Sequence, residues 1–359
     1  MFNRIRKFPC IVFFAARGFF LRGTKMENQD CDGIVLLAKA PGLTSFSALY
    51  DVKHALNTNK VGHTGTLDSF AQGLLVVCTG KLTKLAGNIT QFDKTYSAVI
   101  KFGVETDTLE YTGKTIKTAP LPNLQALEKA VKAWTGTVMQ KPPVFSAIHV
   151  DGKRASDITR SGGIADIPAR MINVFSAEIK ETKLNEKGFV EYALVDFCVS
   201  KGTYIRSLAR DIGEHCGSAA HLVGLYRTKI GNFNIENAAG YDLLKQFTIE
   251  NVILQSNNEQ KSEPKVERNS KLQQEIKNRL ITLDTETCML CGFNVVKLAC
   301  DKSFEDFKHG KKLHSKMFDT DLHSLKKETS SAVFSPDGKF SGLIFNNADG
   351  RIEYKFVLN

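Results

Sequence analysis

One carboxylate stands out for its setting. GHTGTLDSFAQGLL, residues 62–75, gathers a histidine, two threonines and three glycines around Asp68. Gly62, Gly65 and Gly73 permit positive φ or very close approach of the backbone to a ligand, and Thr64 and Thr66 can bond the turn backbone. Such a segment displays its aspartate from a fixed loop, where a carboxylate can serve as nucleophile or base. The same residues allow a plainer reading, in which Asp68 caps a helix formed by FAQGLL. A second cluster with chemical potential is Cys288-x-x-Cys291. A zinc site needs about four ligands, and Cys300 and His309 make no second short-spaced pair. Two ordinary, partly buried thiols are therefore expected there, and no metal.

The elements that must position Asp68 are readable from periodicity. GIVLLAKAPG opens on a compact apolar run from Gly33. Thr44 and Ser45 then offer N-cap oxygens to a helix whose Phe46, Leu49, Val52 and Leu56 recur at intervals of three and four, ending near Asn57. TYSAVIKFG, residues 95–103, alternates Tyr96, Ala98, Ile100 and Phe102 against Thr95, Ser97, Val99 and Lys101, the pattern of a half-buried strand. VEYALVDFCVS, residues 190–200, is apolar on both faces and predicts a central strand. It runs into KGTYIRSLARDIGEHCG, where Ile205, Leu208 and Ile212 take helical spacing, Thr203 can cap the start and Gly217 can end the helix.

Residues 255–279 are polar, charged and poor in aromatics, a composition that cannot bury enough apolar surface to hold a fold by itself. A linker or insertion is expected there. Beyond it, AVFSPDGKFSGLIF and GRIEYKFVL flank turns at Pro336-Asp337-Gly338 and Asp349-Gly350, which predicts a small β-rich domain over 280–359.

With 359 residues and 42% hydrophobic content, the chain can build two domains or one large domain with appendages. Its net charge of +10 suggests a polyanionic partner. Residues 1–26 hold Arg4, Arg6, Lys7, Arg17, Arg22 and Lys25 with no acidic residue, which leaves about +4 on the body. This Arg- and Phe-rich stretch has the composition of an organelle-import presequence. A secretory signal is the alternative, and the irregular spacing of eight cysteines speaks against it. The longest apolar run there, Cys10–Ala16, is seven residues, against the roughly 20 that span a bilayer. No membrane anchor is expected.

Four stretches in order carry a resemblance. GHTGTLDSFAQGLLVVCTGKLTKL, KTYSAVIKFGVETDTLEYTG, QKPPVFSAIHVDGKRA and VSKGTYIRSLARDIGEHCGSAAHLVGLYRT resemble the four motifs of the TruB family of tRNA pseudouridine synthases, over roughly residues 33–245. HGKKLH, FSPDGKFSGLI and DGRIEYKFVL resemble its small PUA-like RNA-binding domain. The implied fold is α+β: a catalytic domain over 30–250 on a mixed, largely antiparallel sheet of the pseudouridine-synthase type, with the PUA-like domain after it. The implied reaction isomerises uridine to pseudouridine in the T-loop of tRNA, at position 55. It breaks the N1–C1′ bond, turns the uracil and rejoins it through C5, a sequence that calls for no redox cofactor, metal or energy donor.

By the same resemblance Asp68 is the catalytic aspartate, and Arg206 the basic residue that pairs with it and holds it in one orientation. Tyr96 is the aromatic that stacks on the flipped uracil and moves a proton at C5. His63 fills the space the base leaves, Tyr204 and Leu225 line the pocket, and Phe145 stands where relatives often carry tyrosine. Lys39 lies beside the first strand, and with Lys60, Lys84, Lys141, Lys153, Arg154, Arg160 and Lys201 it is expected among the phosphate contacts. Ser69 replaces a common proline after the aspartate, and Lys39-Ala40-Pro41 delays a common proline by one residue; neither removes a reacting group. The expected protein is a monomer acting on the T-arm of tRNA in mitochondria, or otherwise in cytoplasm or nucleus. The rival targets are organellar rRNA or mRNA, and the rival class is a non-catalytic RNA-binding protein on the same scaffold.

Overall fold

A computed structural model describes residues 31–150, 152–163, 166–258 and 268–358. The stretch 1–26, expected as a presequence, lies outside the described residues. In chain order, β1 (Gly33–Lys39) leads through a 3₁₀ turn into α1 (Tyr50–Ala55), followed by β2 (Val61–His63), β3 (Gln72–Thr79), α2 (Ala86–Ile89) and β4 (Lys94–Phe102). A hairpin of β5 (Val104–Thr106) and β6 (Thr115–Thr118) precedes α3 (Leu124–Ala133) and β7 (Gly136–Gln140). Next come the short hairpin β8 (His149–Val150) and β9 (Lys153–Arg154), α4 (Ala155–Arg160), β10 (Arg170–Leu184) and β11 (Val190–Val199). After these stand α5 (Ile205–His215), β12 (Ala220–Ile230), β13 (Phe233–Asn234), α6 (Ile249–Asn258) and α7 (Ser270–Asn278). The C-terminal part holds α8 (Thr285–Leu290), β14 (Asn294–Lys297), α9 (Asp301–Lys308), β15 (Thr329–Phe334), β16 (Phe340–Asn346) and β17 (Ile352–Val357).

The main sheet runs β1-β3-β12-β4-β11-β10-β7, with β2 beside β3 and β13 beside β12. Only β3 and β12 pair in parallel; every other ladder in it is antiparallel. This is the mixed, largely antiparallel sheet that the family resemblance implied. One face packs against α1, α3, α5 and α7 through Val52, Leu127, Leu208, Ile212 and Ile276. Tyr96, Ala98, Ile100 and Phe102 of β4 all point into that core, as their alternation predicted. Helix α5 obeys its predicted spacing and ends in a Schellman motif: Gly217 takes φ 69°, and the Ser218 amide donates to Gly213 O across the turn.

On the opposite face, Ile34, Leu36, Leu74, Val76 and Cys78 of β1 and β3 meet a second sheet, β14-β15-β16-β17. Its Ala332, Phe334 and Leu343 join that same core, and α9 covers its far side with Phe307. The Pro336-Asp337-Gly338 turn joins β15 to β16 as read from the sequence. Farther along the main sheet, α6 covers Val99, Tyr192 and Val223 with Ile249 and Val252.

Four local readings differ from the structure. FAQGLL is not helical: Gln72–Thr79 is a strand buried along its whole length, so Asp68 caps nothing. The helix after Thr44 begins as a 3₁₀ turn at Ser47, and Phe46 falls off the buried stripe to become 71% exposed, with Lys53 Nζ 4.7 Å from its ring centre. Thr203 does not cap α5; its hydroxyl donates backward to Ser200 O, and Tyr204 holds the N-cap position. Within the polar stretch 255–279, residues 270–278 form α7, which docks on α1. Its Gln273 donates to the buried Asp51 carboxylate at 2.7 Å, and Ile276 enters the core. Two partners there were hidden in a stretch of otherwise solvated composition.

Candidate functional site

Asp68 sits on the loop between β2 and β3, and its carboxylate meets Arg206 side-on. Arg206 Nη2 donates to Oδ1 at 3.2 Å, and Nε lies 3.0 Å from Oδ2. The aspartate side chain is 32% exposed while the arginine is 7% exposed. A buried cation thus presents a reachable anion, the order of burial that a reacting carboxylate requires. Arg206 occupies the first turn of α5, and it also bonds two backbone carbonyls. Nη1 donates to Thr108 O at 2.9 Å and Nη2 also to Phe145 O at 3.0 Å. A guanidinium fixed at three points allows its carboxylate partner one orientation.

Around this pair stand two features absent from the sequence reading. Glu110 is a second carboxylate beside the ion pair; burial pushes its pKa up, Arg206 pulls it down, and the Asp68 charge raises it again. Thr112 donates to its Oε1 at 3.0 Å. Next to it, Leu109 holds φ 60°, a conformation branched and bulky residues avoid. That turn brings Thr108 O to Arg206. The only signal for either lay in their place within VETDTLEYTG.

Tyr96 is 8% exposed and faces the same core as Leu67 and Phe70, which flank Asp68. Across the sheet it lies opposite Phe197 on one side and Arg227 on the other. Leu225 is 4% exposed, pairs with Ala98, and belongs to that core as well. Tyr204, partly exposed, exchanges two backbone bonds with the Gln140 side chain, at 2.9 and 3.1 Å, while Arg170 stacks over its ring at 5.1 Å. Phe145 reaches the site through its carbonyl, the acceptor for Arg206. His63 ends β2; burial, and then the charge of Arg227, lower its pKa, so the ring is neutral at neutral pH.

Lys39 is a correction. Expected among the phosphate contacts, it is 1% exposed, and its ammonium donates to Ala40 O, Leu43 O and Ser69 O at 3.0, 2.7 and 3.2 Å. It ties the end of β1 to the residue after Asp68, because the turn at Pro41-Gly42 folds back over the ammonium. The other seven cations expected to meet phosphate are all exposed. Among them Lys141 and Arg160 pair with Asp166 and Asp157 at 3.7 and 3.6 Å. Lys84 donates to Val357 O at 3.1 Å, and Lys201 to Gln91.

Cys288 and Cys291 are not partly but fully buried, in the core between the two sheets. Burial raises both thiols, Cys291 to about 12, which makes them inert at neutral pH. Among the described residues no group of three or more His, Cys, Asp or Glu side chains is placed to hold a metal ion, and no helix is long and apolar enough to cross a membrane.

Comparison with known proteins agrees with this geometry. Residues 53–205, which contain both Asp68 and Tyr96, match the family described as TruB family pseudouridylate synthase (N terminal domain). The tRNA pseudouridine synthase B of Treponema denticola is 47% identical over 229 residues, covering 60% of this chain and 64% of that protein. That of Bordetella avium is 40% identical over 228 residues, covering 62% of this chain and 91% of the relative. Among solved structures, a Cbf5-Nop10-Gar1 complex aligns over 91% of this chain and 85% of its own with a TM-score of 0.60. At 21% identity it speaks for the fold alone. With 91% of the Bordetella avium relative matched at 40% identity, and a family model spanning the loop that bears Asp68, the chain belongs to the TruB family of pseudouridine synthases.

Proposed function

We propose that this protein isomerises uridine to pseudouridine in tRNA, at position 55 of the T-loop. The observation that carries the proposal is the side-on ion pair of Asp68 and Arg206, with the anion open to solvent and the cation buried. An isomerisation moves atoms within one nucleotide. Its demands are a carboxylate to act at the sugar, a pocket that keeps the detached uracil from escaping, and a route for the proton that leaves C5 for N1. Asp68 supplies the carboxylate. Tyr96 stacks on the uracil and handles the C5 proton, Leu225 gives it an apolar wall, and Tyr204 and Phe145 close the side next to Arg206. The neutral His63 ring stacks where the extruded base had been, offsetting the few kcal/mol that flipping costs.

The supporting surface is cationic: Lys60, Lys153 and Arg154 are exposed and free to follow a phosphate backbone. The names of the relatives favour tRNA as the substrate. The protein is a monomer in this reading, and the Arg- and Phe-rich residues 1–26 direct it to mitochondria.

The decisive experiment incubates the full chain with a T-arm minihelix and maps pseudouridine chemically. Conversion at the single T-loop uridine is expected, with Asp68→Asn slower by on the order of 10³-fold or more while still binding the hairpin. Wild-type protein that binds but leaves the uridine unchanged sinks the proposal. Light scattering checks the monomer. A fluorescent fusion of residues 1–30 checks the import signal, and a diffuse cytosolic distribution refutes it.

A further inference from the structure

We propose that Ser45 and Arg227 are positioning residues for Asp68, gripping the backbone of its loop from two distant elements. The inference rests on the isomerase reading for its catalytic consequence, not for its geometry. Loop residues 65–69 have no strand ladder or helix of their own, so their peptide groups need partners from elsewhere. Arg227, on β12, donates from Nη2 to Gly65 O at 3.1 Å and from Nη1 to Thr66 O at 3.3 Å, while its Nε anchors to Leu74 O at 2.8 Å. Ser45 then takes the next residue from both sides. Its hydroxyl donates to Leu67 O at 2.9 Å and accepts from the Leu67 amide at 2.8 Å. The carbonyl of Asp68 accepts from Ala71, and that of Ser69 from Gly42 and Lys39. Every carbonyl from 65 to 69 is thereby held.

Arg227 is the larger commitment. It is 1% exposed, yet no carboxylate pairs with it among the described residues; its partners are three backbone carbonyls. Burying a cation is costly unless its hydrogen bonds are satisfied, and here the bonds that satisfy it are those that shape the loop. The close approach that permits this is built in at Gly73, opposite Arg227 in the β3–β12 pairing. A Cβ there would stand 2.3 Å from Arg227 O. Asp68 is thus set by two independent devices: Arg206 orients the carboxylate, and Ser45 with Arg227 place the Cα from which it extends. A reacting group displaced by about 1 Å loses on the order of 10²-fold in rate, and a loop without these partners has that freedom.

The test compares wild type, Arg227→Met, Arg227→Lys, Ser45→Ala and Ser45→Thr, all at a temperature where circular dichroism shows each fully folded. Single-turnover conversion of the T-arm hairpin, hairpin affinity, and hydrogen exchange of the 65–71 backbone are measured together. Arg227→Met should lose on the order of 10²-fold in kcat and Ser45→Ala about tenfold, with KM and affinity within about threefold. Exchange at Leu67 should rise in Ser45→Ala, and Ser45→Thr, which keeps the hydroxyl, should restore both rate and protection. Should Arg227→Met fail to fold, the two Ser45 variants decide. Folded variants with wild-type kcat, losses confined to KM, or unchanged exchange at Leu67 overturn the inference. A wild type that protects the loop yet converts no uridine overturns the isomerase reading instead.

Discussion

Asp68 and Arg206 are 138 positions apart, and their pairing depends on geometry that lysine cannot reproduce. Arg206→Lys would keep a charge but surrender the fork that reaches both carboxylate oxygens and two carbonyls at once. The expected outcome is a fall in kcat/KM of about 10²-fold with hairpin binding within a few-fold, measured by single-turnover kinetics beside a binding titration. His63 invites a different substitution. Burial first, and Arg227 second, keep the ring neutral, so under the proposed reaction it would contribute by stacking rather than by charge. His63→Phe should retain most of the conversion rate, whereas His63→Ala should lose about tenfold or more, in line with stacking energies of roughly 1–3 kcal/mol per base. Equal losses in both variants would show that an imidazole nitrogen matters. At this scale the sequence singled out Asp68 and Arg206, which the structure brings into one ion pair, through motif resemblance, but not the groups that hold them. Lys39 reads as a surface cation and proves buried, because the carbonyls of Ala40 and Leu43 in its own turn and of Ser69, 30 residues on, converge on its ammonium.

Among the elements, α5 does the most for the site, since it carries Arg206 in its first turn; its next turn holds Asp211, paired with Arg210. Asp211 is 7% exposed, and burial raises its pKa to about 6 against the smaller pull of Arg210, which donates to it at 2.7 and 2.8 Å. An unfolded aspartate titrates near 3.9. Between these values the folded state binds more protons than the unfolded one, so stability falls as pH rises from about 4 through about 6, and the full penalty persists above. Asp211→Asn removes that penalty. Its melting temperature should exceed wild type above pH 6, by the equivalent of about 3 kcal/mol, and converge with it below pH 4. Thermal melts from pH 4 to 8 check the sign, and a gap that widens toward low pH would refute it. Elements were legible where one face is buried and period shows, as in Tyr96–Phe102 of β4 and Ile205–Ile212 of α5. At the Thr44–Phe46 turn the reading held only in part: Thr44 Oγ1 accepts from the Ser47 amide at 3.0 Å, as a cap would. Ser45 serves Leu67 instead of a helix cap, and Phe46 is turned out to solvent.

From Cys31 on, the described residues share a core that does not respect chain order. Ile34, Leu74 and Val76 of the main sheet share one apolar cluster with Cys288, Phe334 and Leu343 of the C-terminal part. Phe334→Ala, at a site 2% exposed, should cost roughly 3–5 kcal/mol, and calorimetry should show it lowering a single transition for the entire protein. Two separate transitions, with only the smaller one shifted, would count against a shared core. The sequence alone determined the things that depend on neighbours a few residues apart: the alternation of β4, the span and Gly217 stop of α5, the turn at Pro336-Asp337-Gly338, and the motif that singled out Asp68. Tertiary structure decided the things that depend on which distant groups meet. QGLL became part of a buried strand because β1 and β12 flank it. Residues 270–278 became a docked helix because Asp51 and the sheet were waiting for Gln273 and Ile276. Asp68 ceased to be a candidate cap because Arg206, Arg227 and Ser45, from three remote segments, converge on its loop, and side-chain donors brought together only by folding leave no trace in local periodicity.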